Sequence, residues 1–308
     1  MVSSAALPIG VTLLAMSVGL GALHLAIRRA FRAPRVIERC DPTQLGLPYR
    51  EVSIPTANGR RLFGWLVQAS GDGQAPAAAV LHGWGGNAEM MLPLAAPLHR
   101  AGYAVLLFDA RNHGRSDADS FSSMPRFAED LDHALDWLAR QPGVDANALV
   151  AVGHSVGAAA VLLSASRRRD LAAVVSIASF AHPRAMMRRY LDAHRIPHQP
   201  LGAYIHWYVQ RVIGHRFDAI APTASIGRIT CPVLLVHGAD DTTVPVDDAR
   251  ALHAHRTGES VRLRLLAGDH ESFGEAQGHL EELVTFLDEA TGRQSVQGAG
   301  RTPPQPPR

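Results

Sequence analysis

The order of apolar runs and helical patterns predicts an α/β protein built on a mainly parallel, doubly wound sheet with an antiparallel hairpin at its start. Three observations carry this expectation. Short continuous apolar runs such as Ala104-Val105-Leu106-Leu107-Phe108 recur along the chain, as strands buried on both faces require. Segments with helical spacing alternate with them. The polar clusters fall just after the apolar runs, at the carboxyl ends of strands, where such a sheet gathers ligands.

The chain begins with a different kind of segment. From Ala5 to Ile27 no residue is charged, a stretch long enough to cross a bilayer core as a helix. A cleaved secretory signal would want a basic stretch in front, a shorter apolar core and a small-x-small site, and these are poorly met. Arg28, Arg29, Arg32 and Arg35 follow at once. Residues 1–32 therefore read as a transmembrane anchor with a basic flank, and 33–48, marked by Pro34 and Pro42, as a linker. With Arg39 added, the arginine cluster places the soluble part on the cytoplasmic side by the positive-inside rule.

The soluble part is expected over 49–290. Arg50-Glu51-Val52-Ser53-Ile54 alternates, and Arg61 to Val67 follows the Asn58-Gly59 turn, which predicts a hairpin. Ala77 to Leu81 reads as a buried strand running into His82-Gly83-Trp84-Gly85-Gly86-Asn87, and Glu89 to Arg100 as a helix. Ala104 to Phe108 is a strand closing on Asp109, and Phe127, Leu131, Ala134, Leu135 and Leu138 mark the apolar face of a helix. Further strands are expected at Ala148 to Val152, Leu171 to Ile177, Pro232 to Val236 and Val261 to Leu266. Residues 179–230 are irregular and read as a short helical cap, with Met186, Met187, Tyr190 and Leu191 on one face and Arg184, Arg188 and Arg195 on the other. Residues 291–308, rich in Gly, Pro and Gln, read as a disordered tail.

Composition removes several chemistries. All 30 basic Lys+Arg positions are arginine, so a Schiff-base or P-loop lysine is impossible. A net charge of +2 gives no nucleic-acid footprint. Two cysteines do not make a disulfide framework. His194 and His198 are four apart, but Pro197 between them breaks the helix that would align them on a metal. No metal and no cofactor are implied.

The chemistry centres on Gly153-His154-Ser155-Val156-Gly157, a G-x-S-x-G between an apolar run and the helix former Ala158 to Leu163. A serine at such a strand-to-helix corner is held in a tight turn that exposes its hydroxyl. His237-Gly238-Ala239-Asp240-Asp241-Thr242-Thr243-Val244-Pro245 follows a later strand, and Ala267-Gly268-Asp269-His270 the last one. In these elements the sequence resembles the serine α/β-hydrolases, over roughly Val52 to Ala290. Their patterns include H-G-x-x-D-x-x-V-P at the acid and G-x-x-H at the base.

The resemblance implies Ser155 as nucleophile, His270 as general base and Asp241 as the acid that orients it. Asp241, not Asp240, sits three residues past Gly238 and three before Val244 as the motif requires. The family's oxyanion donors map to the backbone N–H groups of Trp84 and Val156. Asp109-Ala110-Arg111-Asn112-His113-Gly114-Arg115-Ser116 resembles the family's D-x-R-G-H-G-x-S turn, with Asn112 where glycine is usual. The function expected is hydrolysis of a carboxylic ester or thioester through an acyl-enzyme, on a small-molecule acyl ester or lipid-like substrate. An acyltransferase or peptidase would use the same residues, and an inactive interaction scaffold would need none of them.

Overall fold

The computed structural model describes residues 6–71, 73–272 and 277–293. A single eight-stranded sheet organises it. The strands are β1 (Tyr49–Pro55), β2 (Arg61–Val67), β3 (Ala75–Leu81), β4 (Ala104–Phe108), β5 (Val144–His154), β6 (Leu171–Ile177), β7 (Val233–Gly238) and β8 (Val261–Leu266). Their order across the sheet is β1-β2-β4-β3-β5-β6-β7-β8. The β1–β2 and β2–β4 pairs are antiparallel and every other pair is parallel. The hairpin turns on Asn58 and Gly59, both with positive φ, a conformation these two residues tolerate best.

The apolar runs are continuous because both faces of the sheet are covered. Ala77, Ala79 and Leu81 belong to the core on one side, and Ala78 and Val80 to the core on the other, the period-2 alternation of a strand. The first core is closed by α3 (Met124–Leu138) and α4 (Val156–Ala165), the second by α2 (Leu92–Arg100) and α10 (Gln277–Ala290). Every residue of α4 from Gly157 to Ala165 is buried, which is why this helix is apolar all round. On α3 the predicted stripe of Phe127, Leu131, Ala134, Leu135 and Leu138 faces inward.

Two boundaries differ from expectation. The helix expected from Glu89 is a 3-10 turn over Ala88–Met91, capped by the Asn87 side chain, followed by α2 from Leu92. Pro93 suits a first helical turn, where its missing N–H has no intrahelical acceptor. Strand β5 extends further than its apolar centre at both ends. The tail expected over 291–308 lies, from residue 294 on, outside the described residues.

The segment between β6 and β7 contains α5 (Pro183–Ala193), α6 (Ala203–Ile213), α7 (Phe217–Ile220) and α8 (Pro222–Ile226). Arg189 binds Asp248 with two hydrogen bonds of 2.8 and 2.7 Å, which ties α5 to α9 (Val246–Ala254). Helix α1 (Ala6–Ala30) contains a span, Val11–Ala30, long and apolar enough to cross a membrane. Its side chains from Val11 to Ala22 are exposed, and burial begins at Leu23, His24 and Ile27.

Candidate active site

Ser155 closes β5 and opens α4. Its backbone sits at φ 54°, ψ −116°, a region that costs a non-glycine residue on the order of 1–3 kcal/mol and persists only where surroundings impose it. They do so here through two glycines. A Cβ on Gly153 would lie 2.4 Å from the carbonyl oxygen of Gly157, and a Cβ on Gly157 would lie 2.4 Å from that of His82. Both obstacles are backbone and cannot rotate away. Gly157→Ala is therefore expected to destabilise the protein by roughly 3 kcal/mol or more; a urea midpoint within error of wild type would contradict this close approach.

The loop after β3 lies against the corner. A Cβ on Gly83 would stand 3.0 Å from the Ser155 Cβ, so the loop that continues into Trp84 passes beside Ser155. Among the described residues no hydrogen bond occupies the Trp84 N–H. Val156 is the first residue of α4, so its N–H lacks an intrahelical acceptor. The Trp84 ring, 38% exposed, stacks with Phe127 and meets His113 edge-on.

His270 and Asp241 meet in a 2.6 Å hydrogen bond from Nδ1 to Oδ2. The Asp241 carboxylate is buried and its Oδ1 also accepts the N–H groups of Thr243 and Val244 at 2.8 Å each. Asp240 instead points to the neighbouring loop, 3.4 Å from the Gly268 N–H. No hydrogen bond joins Ser155 to His270 among the described residues, a separation common before substrate closes a site.

Three further histidines hold this arrangement. His154 donates from Nε2 to the His270 carbonyl at 2.9 Å. Burial lowers its pKa to about 4, so the ring is neutral at physiological pH, with its proton assigned to the nitrogen that faces an acceptor. His237 bonds the Val244 carbonyl at 2.7 Å and lies 3.4 Å from Asp241. His82 accepts the Ala110 N–H at Nε2 and donates from Nδ1 to Gly83; burial and the adjacent His113 lower its pKa to about 3. It is a neutral strut between two loops.

The turn after β4 is structural. Asn112 adopts φ 69°. Arg111 is buried and paired with Asp130 at 2.6 Å, Asp119 at 3.2 Å and Glu129. His113 is buried beneath Trp84 and Phe127. His194 and His198 take separate partners, the Tyr190 carbonyl and Asp192. One group among the described residues has the compactness for a metal ion: His154, His270 and Glu271, with ligand atoms within 4.8 Å of one another. A cation there would engage the His270 ring.

The segment following α1 also reaches the site. Pro34 packs on Gly85, Asn87 donates to the Val36 carbonyl, and Arg35 donates to the carbonyls of Gly114 and Ser116. Glu38 brings its carboxylate against Asp109, which itself accepts the N–H groups of Ala88 and Arg115. Burial and that neighbouring carboxylate hold Asp109 well above the usual carboxyl range. The unfolded chain releases this proton first, so the contact costs stability as pH rises from the ordinary carboxyl range towards the raised value. Glu38→Gln should thus exceed wild type in Tm by about 2–4 °C near pH 8, with the gap closing below about pH 4. A gap independent of pH would refute the carboxyl pairing.

The family described as serine aminopeptidase, S33, matches residues 74–216, a stretch that contains the Trp84 loop and Ser155. The chain has the α/β-hydrolase fold. The chain is similar to the uncharacterized protein Rv2307c of Mycobacterium tuberculosis, 32% identical over 196 residues, which are 64% of this chain. The match spans 63% of the length of that relative. The thiohydrolase aneE of Aspergillus aculeatus is 32% identical over 137 residues, 42% of this chain and 41% of its own length. Among solved structures the Pyrococcus furiosus esterase Pf2001 superposes with a TM-score of 0.68 at 22% identity, covering 85% of this chain and 100% of its own. That likeness shows the fold.

Proposed function

We propose that this α/β-hydrolase cleaves a carboxylic ester or thioester through an acyl-enzyme, with Ser155 as nucleophile, His270 as base and Asp241 as orienting acid. The observation that carries the reading is the buried 2.6 Å His270–Asp241 bond beside a serine held at φ 54°. Attack by Ser155 Oγ on the acyl carbonyl passes its proton to His270 Nε2, and the imidazolium that forms is steadied by Asp241. The N–H groups of Trp84 and Val156 receive the oxyanion. His270 then returns the proton to the leaving alkoxide or thiolate, and water repeats the sequence on the acyl-enzyme. The names of the related thiohydrolase and esterase support the choice of acyl chemistry. Acyl transfer differs only in the nucleophile that resolves the intermediate. Fluorophosphonate labelling of the full chain, with the modified peptide located by mass spectrometry, tests the assignment: the adduct belongs on Ser155, and its appearance elsewhere or not at all overturns it.

The same reading makes α1 a membrane anchor with the hydrolase domain on the cytoplasmic side, because Arg28, Arg29, Arg32, Arg35 and Arg39 lie at its C-terminal flank. Reporter fusions after Ala290 in a Gram-negative host check it. Cytoplasmic reporter activity is expected, and alkaline phosphatase activity at that position would reverse the orientation.

A further inference from the structure

The last turns of α1 do not stand free; they form one packed unit with the cap. Ile27 is buried with Leu191, Ile205 and Tyr208, and Leu23, Phe31, Met187 and Tyr204 pack around them. His24 Nε2 meets the Tyr204 hydroxyl at 2.6 Å and its ring stacks on Tyr208 at 4.1 Å. Arg28 Nε donates to the Tyr208 hydroxyl at 3.0 Å, and Tyr190 donates to the Ala30 carbonyl at 3.0 Å. These polar bonds set the register of the helix on α5 and α6, whereas apolar packing alone would let it slide. The anchor is thereby clamped to the cap, not merely tethered by a linker.

That clamp dictates which surface meets the bilayer. From Val11 to Ala22 the apolar side chains of α1 are exposed, with Met16 67% and Leu14 66% accessible, so the membrane boundary lies near the level of His24. Tyr204 and Tyr208 sit at that level by their contacts with His24. Trp207, 55% exposed, lies beside Tyr204 with ring centroids 5.5 Å apart. Tyrosine and tryptophan at such a boundary belong among lipid headgroups. The surrounding charge agrees. Residues 183–218 hold six arginines against two aspartates, and both aspartates are engaged, Asp192 by His198 and Asp218 by His182 and Arg184. Arg188, Arg195 and Arg211 are exposed, as are Arg28, Arg29 and Arg32. Exposed arginines close to an anionic bilayer are drawn to its headgroups.

We propose that the α5–α6 cap is the membrane-apposed face of this protein, docked on anionic headgroups, and that acyl esters resident in the bilayer reach Ser155 through it. The proposal rests on the anchor and serine-hydrolase readings above and adds the face and the substrate class. The cap leaves the sheet just past Ile177, whose carbonyl accepts the Ser155 N–H at 2.8 Å, and its α5 is tied by Arg189 to α9, the helix that follows the Asp241 loop. It therefore extends from the nucleophile's edge of the sheet to the anchor. A bilayer lipid approaching the serine meets the cap first.

The test uses the full chain in vesicles of phosphatidylcholine and phosphatidylglycerol whose acyl chains are brominated near the headgroup. Shallow bromines should quench tryptophan fluorescence in wild type, and Trp207→Phe should remove most of that quenching. In the same vesicles an Arg188→Glu, Arg195→Glu variant should lose about tenfold in kcat/KM on a long-chain ester dissolved in the bilayer, with turnover of water-soluble p-nitrophenyl acetate unchanged. Flotation of the protein with vesicles reports the anchor, and acetate turnover reports the hydrolase. Flotation without quenching at Trp207 overturns the docked face, as does an equal loss on both substrates. Absence of acetate turnover overturns the hydrolase reading and leaves the quenching result standing by itself.

Discussion

Ser155→Ala should abolish turnover of p-nitrophenyl esters and fluorophosphonate labelling, with a loss in kcat on the order of 10⁶-fold, while thermal stability stays close to wild type. The change removes one oxygen that makes no hydrogen bond among the described residues, so the fold loses no bond with it. The backbone reason is equally specific: alanine at φ 54° is about as strained as serine there, since the strain comes from Cβ. The corner is imposed by Gly153, Gly157 and the Ser155 N–H bond to Ile177, none of which the substitution touches. Circular dichroism and a melting curve report the fold, and ester turnover reports the chemistry. Activity above about one per cent of wild type would remove Ser155 as nucleophile, because the oxyanion donors alone supply far less.

Asp241→Asn should lower kcat by about 10⁴-fold, whereas Asp240→Asn should cost less than about threefold. The asymmetry follows from what each carboxylate accepts. Asp241 takes three hydrogen bonds, from Thr243 N–H and Val244 N–H on one oxygen and from His270 Nδ1 on the other. An asparagine has only one oxygen. Facing it to the backbone donors turns its NH₂ towards His270 and forces the imidazole into the wrong tautomer; facing it to His270 sets NH₂ against two N–H groups. The first choice puts the imidazole proton on Nε2, where it blocks the base; the second leaves buried donors unmatched, at a cost of about 1–3 kcal/mol. Asp240 makes one long contact at an exposed position, and asparagine reproduces it. A pH–rate profile of the slow variant separates a tautomer defect from misfolding. Equal losses in the two variants would show that the carboxylate next to His270 contributes through the stability of the loop alone.

What could be read before the structure was whatever chain-local physics determines. Buried strands of a doubly wound sheet have to be continuous apolar runs, so Ala104–Phe108 and Leu171–Ile177 were legible to the residue, whereas the edge strand Val261–Leu266 showed itself by alternation, with Arg262 and Arg264 facing outward. A serine flanked by glycines between a strand and a helix former can only be a sharp corner, because each glycine must accept a backbone atom within 2.4 Å of where its Cβ would be. The choice of Asp241 over Asp240 could be made from motif spacing, though the hydrogen bond to His270 itself is a tertiary fact. Helix starts were less legible, since Asn87 and Pro93 both signal one and the chain uses them for two successive elements.

The sequence by itself determined the sheet, the corner at Ser155, the absence of lysine chemistry and a first helix apolar enough to span a bilayer. These depend on residue types over a few positions, and periodicity and steric size act at that range. Only the tertiary structure decided what joins residues far apart. It brought the His154 ring to the His270 carbonyl across 116 positions and set Glu38 against Asp109 at the base of the Trp84 loop. It also turned a segment that reads as a linker into a strap over that loop, and bound His24 and Arg28 to Tyr204 and Tyr208, 180 residues away. Such contacts leave no periodic trace in the chain, because a lone glutamate or histidine acquires its partner only when the sheet and the cap bring the two together.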